Sequence, residues 1–239
     1  MLRLHYGDAI DGLSHFDGTI DCVITSPPYK EIDGYSEKLI RDVFSLLFMR
    51  QVDESLCFMN FGALVEDKMR PFRAALVIEA CGYKLQETFV WWKNHYKPIQ
   101  GERRVNNLSE FIFMFSKGKM PQLDRLSIGI PYADKSNVGR FADKDLKCAG
   151  NVWPIDYETI QDSDQKLHND RFPLELPLRC LKLADYSTDW VVCDPFSGSG
   201  TTAMAAHQLG TRFIGWEKDR SHYDTAMARL QSVSAAEHA

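Results

Sequence analysis

The fold of this chain is decided by residues 190–202, which read WVVCDPFSGSGTT. A short apolar strand is followed by an acid, a proline and two closely spaced glycines, and then by small residues that can begin a helix. Glycines allow a tight turn and the close approach of a ligand, and the N-terminus of a helix offers unpaired N–H groups. The G-x-x-x-x-G-K-[ST] pattern of a phosphate-binding P-loop does not occur in this stretch. The stretch therefore predicts one strand–turn–helix unit of a doubly wound α/β sheet.

The rest of the chain repeats this alternation of apolar strands and amphipathic helices, as a doubly wound sheet requires. Apolar runs predict strands over 20–25, 56–61, 89–92, 111–115, 190–193 and 212–217. Helical periodicity predicts a helix capped by Ser36 and further helices over 66–80, 172–183, 201–209 and 221–230. Pro71 is compatible with its helix only within the first turn. A single α/β domain over 1–239 follows, and its periodicity fades only over 119–166.

Length, charge and cysteine content limit the class of protein. A chain of 239 residues can bury the core of one such domain, and no apolar run approaches the ~20 residues of a membrane span. No signal peptide is expected, because folded-looking sequence begins directly at the N-terminus. Six cysteines without C-x-x-C spacing predict reduced thiols in a cytosol and no metal site. The net charge of −5 disfavours a nucleic-acid partner, yet residues 93–109 carry four cations against one acid, which suits either a phosphate-binding surface or a solvated loop.

A second motif, TSPPY at residues 25–29, ends the predicted strand over 20–25. Together with the loop at 194–202 it resembles the motifs of amino-group DNA methyltransferases, and the resemblance spans nearly the whole chain. The catalytic motif precedes the cofactor loop, an order similar to that of the permuted β-class of N4-cytosine and N6-adenine enzymes. The resemblance implies a Rossmann-like, S-adenosylmethionine-dependent methyltransferase sheet of seven strands, circularly permuted, with a small target-recognition insert at 119–166.

The resemblance places catalysis at Ser26, Pro27, Pro28 and Tyr29. An exocyclic amine is a poor nucleophile because its lone pair is conjugated into the base, so a site must align it with the methyl donor and draw it towards tetrahedral geometry. Ser26 Oγ and the Pro27 carbonyl can each accept a hydrogen bond from the amine, and Tyr29 offers a ring on which an extruded base can stack. No covalent step is needed, and no Cys follows a Pro as the cytosine-C5 enzymes require.

S-adenosylmethionine is the cofactor that the resemblance implies. Asp194 would meet the methionine amino group, and Glu217, at the end of the following strand, would accept hydrogen bonds from the ribose hydroxyls. Asp8, after a short N-terminal strand, would accept from the adenine amine. The remaining predicted contacts belong to the loop itself: Pro195, Phe196, Ser197, Gly198, Ser199, Gly200, Thr201 and Thr202.

Double-stranded DNA is the partner that the resemblance implies, and a target base inside a duplex must be flipped out. Residues 91–98, WWKNHYKP, are similar to the family's Trp-x-Lys-Asn…Pro segment, with cations for phosphates and polar side chains for bases. The predicted DNA contacts are Lys93, Asn94, His95, Lys97, Arg103 and Arg104. The insert at 119–166 is short, which suits a short recognition site or dependence on a second subunit.

The target base and two other functions stay open. Ser-Pro-Pro-Tyr after Thr is more typical of N4-cytosine enzymes and Asp-Pro-Pro-Tyr of N6-adenine ones, so N4 of cytosine is preferred and N6 of adenine is the alternative. Methylation of RNA or of a protein glutamine is disfavoured, because those relatives carry Asn at the first catalytic position and an N-terminal cofactor loop. A non-catalytic DNA-binding subunit is disfavoured because both motifs are intact.

The resemblance also allows a homodimer, a cognate restriction endonuclease and a cytoplasmic location in a bacterial, archaeal or phage-infected cell. No membrane partner is expected.

Overall fold

The structure, a computed structural model of the chain, describes residues 1–30, 32, 34–94, 103, 105–140, 144–156 and 171–236, with the side chains of all of these but 137 and 234–236. The strands are β1 (Leu2–Tyr6), β2 (Ile20–Thr25), β3 (Gln51–Phe61), β4 (Lys84–Trp92), β5 (Ser109–Ser116), β6 (Val152–Pro154), β7 (Val191–Asp194) and β8 (Arg212–Glu217). The helices are α1 (Ala9–His15), α2 (Glu37–Arg50), α3 (Arg70–Ala80), α4 (Glu175–Leu183), α5 (Thr201–Gln208) and α6 (Arg220–Ala236). Strands and helices thus alternate along most of the chain, as predicted.

The eight strands form one sheet in the order β1-β8-β7-β2-β3-β5-β4-β6. β5 pairs antiparallel with both of its neighbours, and every other pairing is parallel. From β2 the chain continues to β3 on one side, whereas from β7 it continues to β8 on the other, so the winding reverses between β2 and β7. Doubly wound sheets bind their ligands in the crevice at such a reversal, beyond the carboxyl ends of the strands. The predicted doubly wound α/β fold is confirmed.

Apolar side chains cover both faces of this sheet. α1, α2 and α3 pack on one face in a cluster that includes Phe44, and α4 and α5 pack on the other in a cluster that includes Trp153. β2 contributes to both clusters, since Val23 belongs to the first and Ile24 to the second, and both are buried. A strand that is buried on both faces has a nearly continuous apolar sequence. This is why the run over 20–25 predicted β2 at its observed bounds.

The starts of three helices follow from single side chains. Ser36 caps α2 as predicted, because its Oγ accepts a hydrogen bond from Leu39 N at 3.0 Å. The sequence predicts the next helix over 66–80, but α3 begins only at Arg70, so that Pro71 lies in the first turn, where a missing N–H costs no intrahelical bond. α1 is not predicted by periodicity; Asp8 caps it.

The sheet has one strand more than the seven expected. β6 lies within the predicted insert at 119–166 and pairs parallel with β4, with Val90 beside Val152. Trp153 is buried, and its ring lies 4.4 Å from that of Phe89 between centroids. The residues around β6 therefore belong to the sheet and its core, and residues 157–166 of the predicted insert lie outside the described residues.

The cysteine side chains lie in different environments. All six cysteines are free; Cys81 is half-buried, Cys148 is exposed and the other four are buried. Within the described ranges no group of three or more His, Cys, Asp or Glu side chains is placed to hold a metal ion. None of the helices in these ranges is both long enough and apolar enough to cross a membrane.

Candidate active site

The residues predicted for catalysis and for cofactor binding come together at one edge of the sheet. β1, β2, β7 and β8 run in the same direction, so their carboxyl ends meet there. These ends, and the segments directly after them, carry Asp8, Ser26, Asp194 and Glu217, in that order. β2 and β7 are adjacent, with Val23 beside Cys193. The catalytic and the cofactor motifs, far apart in the sequence, therefore lie side by side.

The glycine-rich loop between β7 and α5 leaves its backbone accessible on one side. Gly198 and Gly200 adopt left-handed backbone conformations, with φ of +52° and +81°. At Gly200 a Cβ would lie 2.9 Å from the Cβ of Ala226, so α6 leaves no room for a side chain there. At Gly198 a Cβ would meet nothing closer than the Phe196 carbonyl oxygen at 3.9 Å. One side of the loop is therefore packed on α6, while the space beside Gly198 is open to a ligand.

Asp194 ties the predicted cofactor loop to the predicted catalytic turn. The residue is only 1 % exposed. Its Oδ1 accepts hydrogen bonds from Thr25 Oγ1 at 2.6 Å and Phe196 N at 3.1 Å, and its Oδ2 accepts one from Thr202 Oγ1 at 2.8 Å. Burial raises the pKa of Asp194 to about 6, although these three hydrogen bonds oppose the rise. Because Thr25 directly precedes the catalytic tetrapeptide, this carboxyl group fixes the two motifs relative to each other.

The other two predicted acids lie along the same edge. Glu217 is half-buried, and its Oε2 accepts a hydrogen bond from Gly198 N at 2.7 Å, while its Oε1 accepts one from the backbone two residues on, also at 2.7 Å. Asp8 is exposed, and its Oδ1 caps α1 by accepting from Ile10 N at 2.8 Å. β1 lies next to β8, with Tyr6 beside Glu217. Glu217 thus contacts the loop directly, and Asp8 follows the strand that pairs with β8.

Ser26 and Tyr29 contact each other directly. Ser26 Oγ donates a hydrogen bond to Tyr29 OH at 3.1 Å, and both residues are half-buried. The Tyr29 ring meets the Phe61 ring edge-on, with 4.9 Å between centroids. The Tyr29 carbonyl accepts a hydrogen bond from Arg70 Nη1 at 2.8 Å, and Pro27 is buried. The tetrapeptide is therefore a fixed turn, held by β2, by β3 and by the start of α3.

A buried acid contacts Tyr29, one of the residues predicted for catalysis. Glu110, near the start of β5, is 8 % exposed, and its Oε2 accepts a hydrogen bond from Tyr29 OH at 2.8 Å. Its other oxygen forms an ion pair with Lys93. The Lys93 ammonium also lies 4.6 Å from the centroid of the Trp91 ring. Asn60 Oδ1 is 3.2 Å from the same phenol oxygen. β5 runs antiparallel, so its first residues reach the edge where the other strands end.

The predicted DNA contacts that the structure describes differ in their exposure. The sequence predicts Lys93 as a phosphate contact, but its side chain is only 12 % exposed and its ammonium is committed to Glu110. Asn94 and Arg103 are exposed. The remaining predicted contacts lie outside the described residues: His95, Lys97 and Arg104.

An open cavity of about 840 Å³ lies next to this region. The segment after β3, the start of α3 and the start of β5 form its walls. Lys68, Arg103, Asn106 and Asn107 supply polar lining, and Phe72 is among the apolar side chains. The cavity thus combines cationic and amide groups with apolar surface close to the catalytic turn.

Three polar partners of the site are missed by the sequence reasoning: Thr25, Asn60 and Glu110. Each stands in or at the end of an apolar strand, and Asn60 is held there because its Nδ2 donates to the Phe111 carbonyl at 3.2 Å. A buried polar side chain has to find a partner, so polar residues inside apolar runs carry a signal. That signal does not identify the partner, which for Glu110 lies 81 residues away in the sequence.

Comparison with known proteins shows the family to which the chain belongs. A family model described as DNA methylase, of the N6 and N4 type, matches residues 20–228, a range that contains both motifs. The chain therefore belongs to this family of N6/N4 amino DNA methyltransferases. It is 28 % identical to the orphan methyltransferase M.BamHII of Bacillus amyloliquefaciens over 90 % of each protein. It is 26 % identical to the type II methyltransferase M.SmaI of Serratia marcescens over 95 % of this chain and 90 % of that protein.

Solved structures show the same fold. The PvuII DNA methyltransferase, which is cytosine-N4-specific, superposes with a TM-score of 0.77 at 21 % identity, covering 96 % of this chain and 86 % of that one. The M1.HpyAVI–SAM complex superposes with a TM-score of 0.68 at 22 % identity, covering 96 % and 99 %. The sheet is therefore of the Rossmann-like methyltransferase kind, as the sequence predicted.

Proposed function

We propose that this protein transfers a methyl group from S-adenosylmethionine to the exocyclic amine of a base flipped out of double-stranded DNA, with N4 of cytosine as the preferred target. The observation that carries the proposal is the hydrogen bond from Ser26 Oγ to Tyr29 OH beside a cofactor loop that Asp194 ties to the same turn through Thr25. A site that accepts hydrogen bonds from an amine is thus fixed against a site for the methyl donor. Family membership supplies the reaction class.

The groups along the loop suit S-adenosylmethionine chemically. The open space beside Gly198 leaves room for the methionine part next to the loop. Glu217, half-buried beside it, is an acceptor for the ribose hydroxyls, and the exposed Asp8 is an acceptor for the adenine amine. When bound, the cofactor supplies an electrophilic methyl group on a cationic sulfonium. Asp194 supports the loop from the interior, and a direct contact between its carboxylate and the methionine amino group stays a prediction.

The catalytic turn can orient a target amine without forming a covalent bond. Ser26 Oγ donates a hydrogen bond to Tyr29 OH, which leaves the lone pairs of Oγ available to accept one from an N–H of the amine. A hydrogen bond accepted from the amine draws its nitrogen away from conjugation with the base, and the fixed turn preserves the alignment. The half-buried Tyr29 ring supports the flipped base by stacking.

The DNA surface in this proposal lies beside the cavity near the catalytic turn. Exposed Arg103 and Lys68 provide cations for phosphates, and Asn94, Asn106 and Asn107 provide amides for base edges or the sugar–phosphate backbone. Local cations are what phosphate binding needs, so the overall charge of −5 does not oppose this partner.

Nucleoside mass spectrometry tests the proposal. Unmethylated DNA of diverse sequence is incubated with the protein and S-adenosylmethionine carrying an isotope-labelled methyl group, and is then digested to nucleosides. Labelled N4-methylcytosine is the expected product. Labelled N6-methyladenine would keep the reaction class and overturn the cytosine preference, which rests on the serine at the first catalytic position. If DNA is bound but carries no label, the enzyme assignment fails and a non-catalytic DNA-binding subunit becomes the better account.

Pairing of two copies and the presence of a cognate restriction endonuclease stay predictions of the resemblance. Light scattering of the purified protein, with and without DNA, measures the first. A single-copy mass in both states would contradict the homodimer.

A further inference from the structure

Glu110 ends a chain of hydrogen bonds that begins at the catalytic serine. Ser26 Oγ donates to Tyr29 OH at 3.1 Å, and Tyr29 OH donates to Glu110 Oε2 at 2.8 Å. Lys93 holds the second oxygen of Glu110 in an ion pair, in which the lysine side chain is 12 % exposed and the glutamate side chain 10 %. The chain therefore joins a half-buried catalytic residue to a buried, charge-compensated carboxylate.

The Glu110 carboxylate determines which oxygen donates and which accepts in the hydrogen bonds between Ser26, Tyr29 and Glu110. Tyr29 OH has one proton to donate, and Glu110 Oε2 at 2.8 Å, Ser26 Oγ at 3.1 Å and Asn60 Oδ1 at 3.2 Å lie within reach. An ionised carboxylate is the stronger acceptor, and it has no proton to give back. Tyr29 OH thus donates to Glu110 and accepts from Ser26. The serine becomes a hydrogen-bond donor towards the tyrosine and an acceptor on its remaining side.

We propose that Glu110 is a positioning residue for methyl transfer. By accepting a hydrogen bond from Tyr29 OH it fixes Ser26 Oγ as an acceptor for the target amine, and Lys93 holds the other oxygen of Glu110 in place. This inference rests on the proposed function. It adds to that function the residue, Glu110, that makes Ser26 donate its hydrogen bond to Tyr29.

Packing around the chain supports a role in positioning. Gly62 leaves room for the contact, because a Cβ there would lie 3.1 Å from both Glu110 and the Tyr29 ring. A buried ion pair contributes little net stability, since desolvation of the two charges offsets their attraction. An apolar pair of the same size would stabilise the fold as well or better. Stability alone therefore does not explain why the Glu110–Lys93 ion pair lies against Tyr29.

Glu110→Gln should reverse the direction of the hydrogen bonds between Ser26, Tyr29 and residue 110, while the amide keeps the shape of the carboxylate. Lys93 can only donate, so it attracts the oxygen of the new amide and leaves the amide nitrogen facing Tyr29 OH. Tyr29 must then direct its proton to Ser26 or Asn60. We expect kcat for methyl transfer to fall about 10- to 100-fold, because the serine lone pairs lose their alignment. The KM for S-adenosylmethionine should stay within about twofold of the wild-type value, since the cofactor loop is untouched.

A double-mutant cycle with Tyr29→Phe separates this role from a general structural one. Tyr29→Phe removes the link between Ser26 and Glu110, so adding Glu110→Gln should lower kcat by less than about twofold further. Full, independent losses from both substitutions would show that Glu110 does not act through Tyr29, and would overturn the proposal. Unchanged kcat in Glu110→Gln alone would do the same.

Lys93→Met provides a rescue. In the Glu110→Gln background it frees the amide to turn its oxygen towards Tyr29, so kcat should recover by about 10-fold, whereas in the wild-type background the same substitution should lower kcat. If kcat does not recover, Glu110 does not act by setting the direction of the Tyr29 hydrogen bond. Glu87→Gln, an exposed position on β4, is the matched control and should retain the wild-type kcat. If Glu110→Gln alone does not fold, Lys93→Met and the doubly substituted protein carry the test: kcat should be higher in the doubly substituted protein than in Lys93→Met, and the reverse order would overturn the proposal.

A spectroscopic readout keeps this inference distinct from the proposed function. In protein labelled with carbon-13 at tyrosine Cζ, the Tyr29 resonance is assigned by its loss in Tyr29→Phe. It should move in Glu110→Gln and stay in place in Glu87→Gln. If the wild type methylates DNA but neither kcat nor this resonance responds to Glu110→Gln, only the positioning role fails. If the wild type methylates no DNA, the proposed function fails, while the resonance still decides whether Glu110 accepts a hydrogen bond from Tyr29 OH.

Discussion

Replacing Asp194 with Asn should make the protein more stable than the wild type at neutral pH, and this gain should vanish in acid. The wild-type carboxyl group is buried, and burial raises its pKa from the ordinary value of 3.8 to about 6. The folded state therefore binds the proton more tightly than the unfolded state does. Stability that is present below pH 3.8 is lost as the pH rises through about 6, because the folded protein must then hold a buried charge.

The substitution keeps the hydrogen bonds of the site. The side-chain oxygen can still accept from Thr25 Oγ1 and Phe196 N, as Asp194 Oδ1 does. The new amide nitrogen takes the place of Oδ2 and donates to Thr202 Oγ1. Thr202 can then turn its own proton to the Ile24 carbonyl oxygen, 3.4 Å away. The variant thus removes the charge and little else.

The size of the effect follows from the two pKa values. The rise from 3.8 to about 6 corresponds to about 3 kcal/mol of unfolding free energy, since one pKa unit is worth about 1.4 kcal/mol. The difference between variant and wild type should therefore grow by about 3 kcal/mol between about pH 4 and about pH 8. Other titrating groups contribute equally to both proteins and cancel in the difference.

Urea unfolding followed by tryptophan fluorescence measures this difference across the pH range. The exposed Asp189, changed to Asn, is the matched control and should alter stability by less than about 0.5 kcal/mol at every pH. A gain that does not depend on pH would contradict this prediction, as would a wild type that is the more stable protein at about pH 8. In either case burial would not be what governs the Asp194 carboxyl group.

Three further changes test other parts of the account. Arg103→Glu should raise the KM for DNA and make log KM less dependent on log salt by roughly one unit of slope, measured by steady-state kinetics at several ionic strengths; unchanged values would move the DNA surface elsewhere. Glu217→Gln should weaken S-adenosylmethionine binding by about 10-fold in calorimetric titration, because a charged acceptor for the ribose hydroxyls is lost, and wild-type affinity would remove Glu217 from the cofactor site. Trp153→Ala should lower the unfolding free energy by about 3 to 5 kcal/mol in urea, since Trp153 fills the core beside Phe89, whereas a loss below about 1 kcal/mol would show that β6 does not belong to the core.

The parts of the fold that were predictable from sequence are those with local signals. The apolar run over 20–25 and the following Ser-Pro-Pro fixed β2, and Ser36 fixed the start of α2. β6 has no such signal, because three residues carry no periodicity, and its position depends on pairing with β4. Trp153 is buried for the same reason, through contacts that distant segments provide.

The candidate site shows the same division. Ser26, Asp194 and Glu217 stand in motifs whose spacing can be read directly, and the direction of the strands brings them to one edge. Lys93 reads as a surface cation, because the sequence does not reveal that Glu110 is its neighbour across β4 and β5. Partners that are distant in sequence and meet only through strand pairing need the structure.

In the proposed function, the turn at Ser26 and Tyr29 directs methyl transfer to an exocyclic amine in DNA. Transfer of an isotope-labelled methyl group from S-adenosylmethionine into DNA, compared between the wild type and Ser26→Ala at saturating cofactor, tests it most directly. The wild type should label an exocyclic amine, and Ser26→Ala should be at least about 100-fold slower while binding the cofactor with wild-type affinity. Transfer by Ser26→Ala at the wild-type rate would contradict this role of the turn.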